Sequence, residues 1–283
     1  MDMIVPKPVV EEHVRRFLME DLAIGDVTAV ALPDIIARAK IVAKQRGIIA
    51  GVEVARIVFE LLDVDVVESI ADGSAVSAGQ AVMAVEGKAK DILMAERTAL
   101  NILARMSGIA TVTREMLEKA RKVNPSIRIA ATRKTTPGFR LFEKLAVAIA
   151  GGDTHRYCLG DAVLIKNNHI AVAGSVSKAI RLAKSVSFTK KVEVEVRSVD
   201  EAIEAAKEGV DIIMFDNMKP DEIVIAIKKL EELGLRGKIT LEASGGIKPD
   251  NVEEYAATGV DVLSSGYIIH SAKPLDMSLY LVT

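Results

Sequence analysis

From residue 127 onward, six short apolar runs recur, at 127–131, 162–165, 192–196, 212–215, 239–241 and 262–264. Between them lie stretches with apolar residues at helical spacing, at 176–184, 199–207, 220–233 and 249–258. Strand, helix and strand in repetition build a parallel sheet, because each crossover returns the chain in the same direction. Right-handed crossovers that keep stepping the same way eventually close, so this half predicts an α/β barrel rather than an open doubly wound sheet.

The first hundred residues read differently. Residues 9–21 carry apolar side chains at helical spacing, and Gly25-Asp26-Val27-Thr28 breaks the pattern. Residues 37–43 and 47–51 are rich in β-branched side chains, 52–62 return to helical spacing, and Asp72-Gly73-Ser74 and Ser77-Ala78-Gly79-Gln80 bracket short apolar runs, including 81–85, as hairpin turns do. This predicts a small α/β domain. Between 91 and 122 the pattern is helical with an interruption at Ser107-Gly108, which predicts two consecutive helices bridging to the barrel. A chain of 283 residues suits two unequal domains.

Composition excludes several classes. Half the residues are apolar and 27% charged, as in a globular protein with a large core. A net charge of -2, no Trp and 4% aromatics argue against a nucleic-acid-binding surface. The single cysteine, Cys158, leaves no intrachain disulfide and is expected to be buried packing in a reducing cytoplasm. The sequence shows no apolar segment of signal-peptide or membrane-spanning type, so a soluble cytoplasmic protein is expected.

Reactive residues of a parallel barrel gather at the carboxyl ends of its strands. Here those ends lead into Thr132-Arg133-Lys134, Lys166-Asn167-Asn168-His169, Asp216-Asn217, Glu242-Ala243-Ser244-Gly245-Gly246 and Ser265-Gly266, while Glu193 and Glu195 alternate within the run at 192–196. Arg133, Lys134, His155, Arg156 and Lys166 would converge on one mouth with few acids, which implies a phosphate or polycarboxylate ligand. Singly, each is as well read as a solvated loop charge, His155 and His169 as structural, and either glutamate as a lysine's partner. Ser244-Gly245-Gly246 and Ser265-Gly266 follow late strands, where backbone N–H groups often seat a phosphate. Glu195 and Asp216 are hard oxygen ligands suited to magnesium or sugar hydroxyls.

The sequence resembles the quinolinate phosphoribosyltransferase family in seven pieces that run in family order over nearly the whole chain. They are Glu96-Arg97-Thr98-Ala99-Leu100-Asn101, Ser107-Gly108-Ile109-Ala110-Thr111, Thr132-Arg133-Lys134-Thr135-Thr136-Pro137-Gly138, Gly151-Gly152-Asp153-Thr154-His155-Arg156, Leu164-Ile165-Lys166-Asn167-Asn168-His169, Glu193-Val194-Glu195 and Ser244-Gly245-Gly246-Ile247. The resemblance implies a sandwich-like amino-terminal α/β domain (1–107, completed by 268–283) beside an incomplete, open α/β barrel (108–267) of the type II phosphoribosyltransferase kind. It implies a homodimer, with hexamers of dimers as a further assembly, in which Arg97 acts in the partner's site.

Carried over by position, Arg133, Lys134, His155, Arg156 and Lys166 would bind quinolinate carboxylates and the pyrophosphate of phosphoribosyl pyrophosphate. Glu195 and Asp216 would hold Mg2+ and ribose hydroxyls, and Ser244, Gly246, Ser265 and Gly266 the 5'-phosphate. Lys134, Lys166, Glu195 and Asp216 would be the catalytic set, yielding nicotinate mononucleotide, pyrophosphate and CO2 for NAD biosynthesis. One position departs from the family pattern: Asn167 stands where it has Asp, which points to a weakened metal contact or to another acceptor, such as nicotinate or that of a relative linked to molybdenum utilisation. The retained Thr-Arg-Lys and His-Arg pairs favour quinolinate. Rival readings are a barrel lyase with Lys166 as Schiff-base amine and a phosphate-ligand sensor without turnover.

Overall fold

A computed structural model describes residues 5–237 and 239–282. The chain forms two compact units. The first opens with α1 (Lys7–Leu22), whose Val10, Val14 and Leu18 form a buried stripe at the expected spacing. Next comes α2 (Val27–Val30), capped by the Asp26 carboxylate, which accepts the N–H groups of Thr28 and Ala29 at 2.8 and 3.0 Å. In β1 (Ile36–Ala43) the buried Ala39, Ile41 and Ala43 alternate with the exposed Arg38 and the lysine at 40. There follow β2 (Gly47–Ile48), α3 (Val52–Glu60), β3 (Asp65–Ser69), β4 (Ala75–Val76) and β5 (Ala81–Lys88). Asp72 caps α3 from across the chain, accepting Val52 N–H at 2.9 Å.

Next, α4 (Ala89–Val123) is one continuous helix of 35 residues, not two. The expected break at Ser107-Gly108 does not occur because tertiary contacts use both residues. Ser107 Oγ accepts the Ala50 N–H at 3.0 Å, and a Cβ on Gly108 would stand 2.2 Å from the Lys273 carbonyl oxygen. The glycine is there so that another backbone can lie against the helix, and helical neighbours on both sides carry the local propensity cost.

The second unit holds β6 (Arg128–Ala130), β7 (Val163–Ile165), β8 (Val192–Val196), β9 (Ile212–Asp216), β10 (Thr240–Ser244) and β11 (Val262–Ser264); α5 (Arg140–Ile149), which follows β6 in the chain, belongs to the first. Helices α6 (Asn167–Ala173), α7 (Val176–Lys184), α8 (Val199–Lys207), α9 (Pro220–Glu232), α10 (Val252–Ala256) and α11 (Tyr267–His270) follow the later strands. All six strands are parallel, in the order β6-β11-β10-β9-β8-β7. Among the described residues no ladder joins β6 to β7, so the barrel is open, as expected. A single bridge from Ala130 to Asp153 lies on the free edge of β6, with Asp153 N–H donating to Ile129 O and Ala131 N–H to Asp153 O, each at 2.8 Å.

Strand β10 runs to Ser244, past the apolar run that marks it, so Glu242 lies within the strand and is buried rather than following it. Asp211 and Asp261, each just before a strand, brace the neighbouring one by accepting the N–H of Val192 (2.7 Å) and Leu241 (2.8 Å). Cys158 is exposed, not buried: its loop turns about Asp161, whose carboxylate accepts the Cys158 N–H at 2.9 Å.

Each of the two compact units is built from separated stretches of the chain. The first takes the described residues up to Val112, Leu141–Ala150 and the tail from Ala272, and the second Thr113–Arg140 and Gly151–Ser271. Helix α5 belongs with the first unit because Phe142 packs its ring edge-on against His13 and Phe17, at 5.7 and 5.5 Å, and Glu143 pairs with Arg105 at 2.7 Å. The tail forms β12 (Met277–Val282), which adds antiparallel to β1 and gives the sheet order β12-β1-β5-β3. No helix among the described residues is long and apolar enough to cross a membrane.

Candidate active site

At the carboxyl ends of the barrel strands lies a cavity of about 540 Å³. It is lined by Arg133, Lys134, His155, Arg156 and Lys166, by Glu195 and Asp216, and by Ser244, Gly245 and Gly246. A smaller cavity of about 180 Å³ shares Lys134 and Ser244–Gly246 with it and adds Ser265 and Gly266. Of the candidate residues, Arg97 alone lines neither; it is exposed on α4.

Strand period explains the placement. Glu193 and Glu195 share one face of β8, and the valines that alternate with them occupy the other. Glu195, nearer the strand end, reaches the cavity and accepts a hydrogen bond from Lys166 Nζ through Oε1. Asp216 ends β9, where Oδ2 accepts from Arg197 Nε and Nη2 at 3.1 and 3.0 Å and Oδ1 from Asn217 Nδ2 at 2.8 Å. Lys166 opens α6, and the ring of His169 caps that helix by accepting the Lys166 N–H at 2.9 Å, so His169 is structural. Ser265 donates its hydroxyl to Ile247 O at 2.7 Å and thereby ties two loops together.

The cations are under mutual stress. Burial, followed by the like charge of Arg133, pushes the Arg156 pKa below its usual value. Arg133 Nε is buried with no hydrogen-bond partner among the described residues. A donor left so and a guanidinium so repelled are both relieved by one ligand, an anion with planar oxygen pairs.

His155 lines the cavity, and both of its ring nitrogens also face partners within the protein. Its Nδ1 accepts the Arg156 N–H at 2.8 Å, and its Nε2 lies 3.3 Å from Glu242 Oε2 and 3.6 Å from Glu193 Oε2. Burial lowers its pKa while Glu193 and Glu242 raise it, to about 10 on balance. That balance conflicts with the hydrogen bond at Nδ1, since an imidazolium would turn a donor toward the Arg156 donor; the geometry decides for a neutral ring with its proton on Nε2. Glu193, whose pKa burial pushes up, and Glu242 stand among the strand-end acids of the sequence but were given no role in the site. The signal for them was present: a charged residue two positions before a cavity residue on the same strand, Glu193 before Glu195 and Glu242 before Ser244.

Gly245 and Gly246 both have positive φ, 100° and 65°. A Cβ at Gly245 would fall 2.3 Å from Asn217 Oδ1 and 2.9 Å from its backbone nitrogen, whereas one at Gly246 meets nothing within 4 Å. The first is required by close approach, the second by conformation.

The family models for quinolinate phosphoribosyl transferase match this chain at residues 26–107 for the N-terminal domain and 109–280 for the C-terminal domain. The chain belongs to the quinolinate phosphoribosyltransferase family. Members of that family include the probable nicotinate-nucleotide pyrophosphorylase (carboxylating) of Archaeoglobus fulgidus, 54% identical over 255 residues, which cover 90% of this chain and 97% of that one. The human nicotinate-nucleotide pyrophosphorylase (carboxylating) is 41% identical over 240 residues, 84% of this chain and 80% of that one. The solved nicotinate-nucleotide pyrophosphorylase of Francisella tularensis, 38% identical, superposes with a TM-score of 0.91 over 98% of each chain.

Proposed function

We propose that the protein transfers the phosphoribosyl group of phosphoribosyl pyrophosphate to quinolinate and releases pyrophosphate, CO2 and nicotinate mononucleotide. The observation that carries this reading is the pair Arg133 and Arg156: two guanidiniums, one with a buried donor that has no partner among the described residues, in a cavity at the barrel mouth. The family and its carboxylating relatives supply the reaction, and quinolinate supplies the adjacent carboxylates that two guanidiniums fit.

Arg133, Arg156 and Lys166 orient the diacid with its ring nitrogen toward the anomeric carbon of the ribose. The nitrogen forms the new bond to that carbon as the pyrophosphate oxygen leaves with the old bonding pair, and Lys134 neutralises the departing charge. Glu195 faces the positive charge that develops on the sugar. The ring nitrogen is then cationic, so the carboxylate next to it leaves as CO2, its bonding pair stays on the ring carbon, and a proton is taken up there. Backbone groups at Ser244–Gly246 and Gly266 seat the 5'-phosphate.

Two carboxylates at neighbouring strand ends, facing one cavity, form a donor set that fits magnesium. Glu195 and Asp216 would hold it, and when bound it would offset pyrophosphate charge. Lys166 is ion-paired to Glu195 and 44% exposed, unlike the desolvated amine that imine chemistry needs, so nothing favours the lyase reading. The exposed Arg97 on α4 fits the role of a residue lent to a partner subunit in a homodimer.

The test is an assay of purified protein with magnesium, phosphoribosyl pyrophosphate and either quinolinate or nicotinate, following mononucleotide and CO2. Product from quinolinate with one CO2 per turnover is the expected result. Turnover with nicotinate alone, or with neither, would overturn the reading and return attention to Asn167.

A further inference from the structure

Below the cavity cations lie two acids that the proposed reaction leaves unused. Glu193 on β8 is 1% exposed and Glu242 on β10 is 2% exposed. Both Glu193 carboxylate oxygens and Glu242 Oε1 lack a hydrogen-bond partner among the described residues. Buried carboxylates in that state cost stability, so a purely structural role does not account for their presence.

Both face one ring edge, the Nε2 side of His155. The opposite ring nitrogen accepts the backbone N–H of Arg156 at 2.8 Å, so the imidazole links β10 to the backbone of a cavity arginine. His155 itself has a φ of 51°, in the left-handed region that a bulky side chain adopts only when its surroundings hold it there. Its N–H donates to Asp153 Oδ1 at 2.7 Å, and Asp153 is bound through its backbone to β6. The turn is therefore held at one end by the barrel edge and at the other by the glutamates, and Arg156 is the residue that leaves it.

The spacing of the three groups, whose ligand atoms lie within 4.8 Å of one another, would also suit a metal ion. The hydrogen bond at Nδ1 decides against it, because the proton of the ring then sits on Nε2, the nitrogen that would have to offer its lone pair.

We infer that Glu242, acting through His155 with Glu193 beside it, is a positioning residue that aims the Arg156 guanidinium into the cavity. It touches no reacting atom. The inference rests on the proposed function only in naming quinolinate as the ligand whose binding reports on Arg156.

The experiment compares full-length wild type, Glu242→Gln and Glu242→Leu. Gln keeps an oxygen for the Nε2–H and Leu does not. In Glu242→Leu the KM for quinolinate should rise about 10-fold, with kcat and the KM for phosphoribosyl pyrophosphate within about threefold, and Glu242→Gln should restore the quinolinate KM. Equal behaviour of the two variants, or a fall in kcat without a change in KM, would overturn the inference. A second arm needs no turnover and no change at Glu242: nitrogen-15 spectra of histidine-labelled wild type at neutral pH, with His155→Gln identifying the resonance. The Nε2–H tautomer is expected. An imidazolium, the other tautomer, or one divalent ion retained per purified chain would each sink the relay. Loss of quinolinate turnover in wild type would refute the proposed function alone, because the spectra still test the relay.

Discussion

Arg133 shows how little a residue's identity says before its surroundings are known. Its neighbours in sequence, Thr132 and Lys134, mark a strand end, but only burial of Nε and the nearby Arg156 turn a loop charge into an anion site. Arg133→Lys keeps the charge and removes the planar fork. It should raise the KM for quinolinate by 10- to 100-fold, about 1.4–2.8 kcal/mol, with an unchanged melting temperature, which steady-state kinetics beside a thermal melt will check. At this scale Arg133, Lys134, Lys166 and Asp216 were legible because each follows an apolar run, and Glu195 because it interrupts one. The relay to Arg156 was not, since Glu193, Glu242 and His155 come from three separate segments and meet only across the barrel.

Elements obey more local rules, and two of their caps and turns can be tested. Gly245→Ala sets a methyl group against the backbone nitrogen of Asn217 and should unfold the loop or abolish phosphate binding. Gly246→Ala has room and should cost about 1 kcal/mol for a left-handed alanine. Urea titration of both variants distinguishes the two cases. Asp72 has a pKa raised chiefly by burial, against the lowering effect of the α3 N–H groups that it accepts. A carboxyl whose folded pKa is raised adds stability below the unfolded value, about 3.9, and that contribution is lost as pH rises through the folded value. The melting temperature of Asp72→Asn relative to wild type should therefore climb as pH rises from about 4 to about 7, since Asn cannot ionise. A flat difference across that range would refute the assignment. The α4 region shows where element-level reading fails: Ser107-Gly108 is a valid breaker signal in an isolated peptide, and the helix passes through it because both residues already have tertiary partners.

For the whole molecule, the proposed dimer makes a sharp prediction. Arg97→Ala and Arg133→Ala proteins, each inactive alone, should regain up to about a quarter of wild-type activity when mixed and exchanged, because one site of a mixed dimer is then intact. No recovery in dimers shown to have exchanged would place Arg97 outside the partner's site. What the sequence by itself determined was the alternation of strand and helix, the parallel order of β7 to β11 and the polar residues at their ends, all set by periodicity and turn chemistry within about 20 residues. Only the tertiary structure decided that α5 belongs with the first unit, that α4 is unbroken, and that two buried glutamates meet the imidazole of His155. Those outcomes depend on contacts between segments far apart in the chain, such as Phe142 with His13 or Glu242 with His155, and no local pattern encodes which distant surface a side chain will meet.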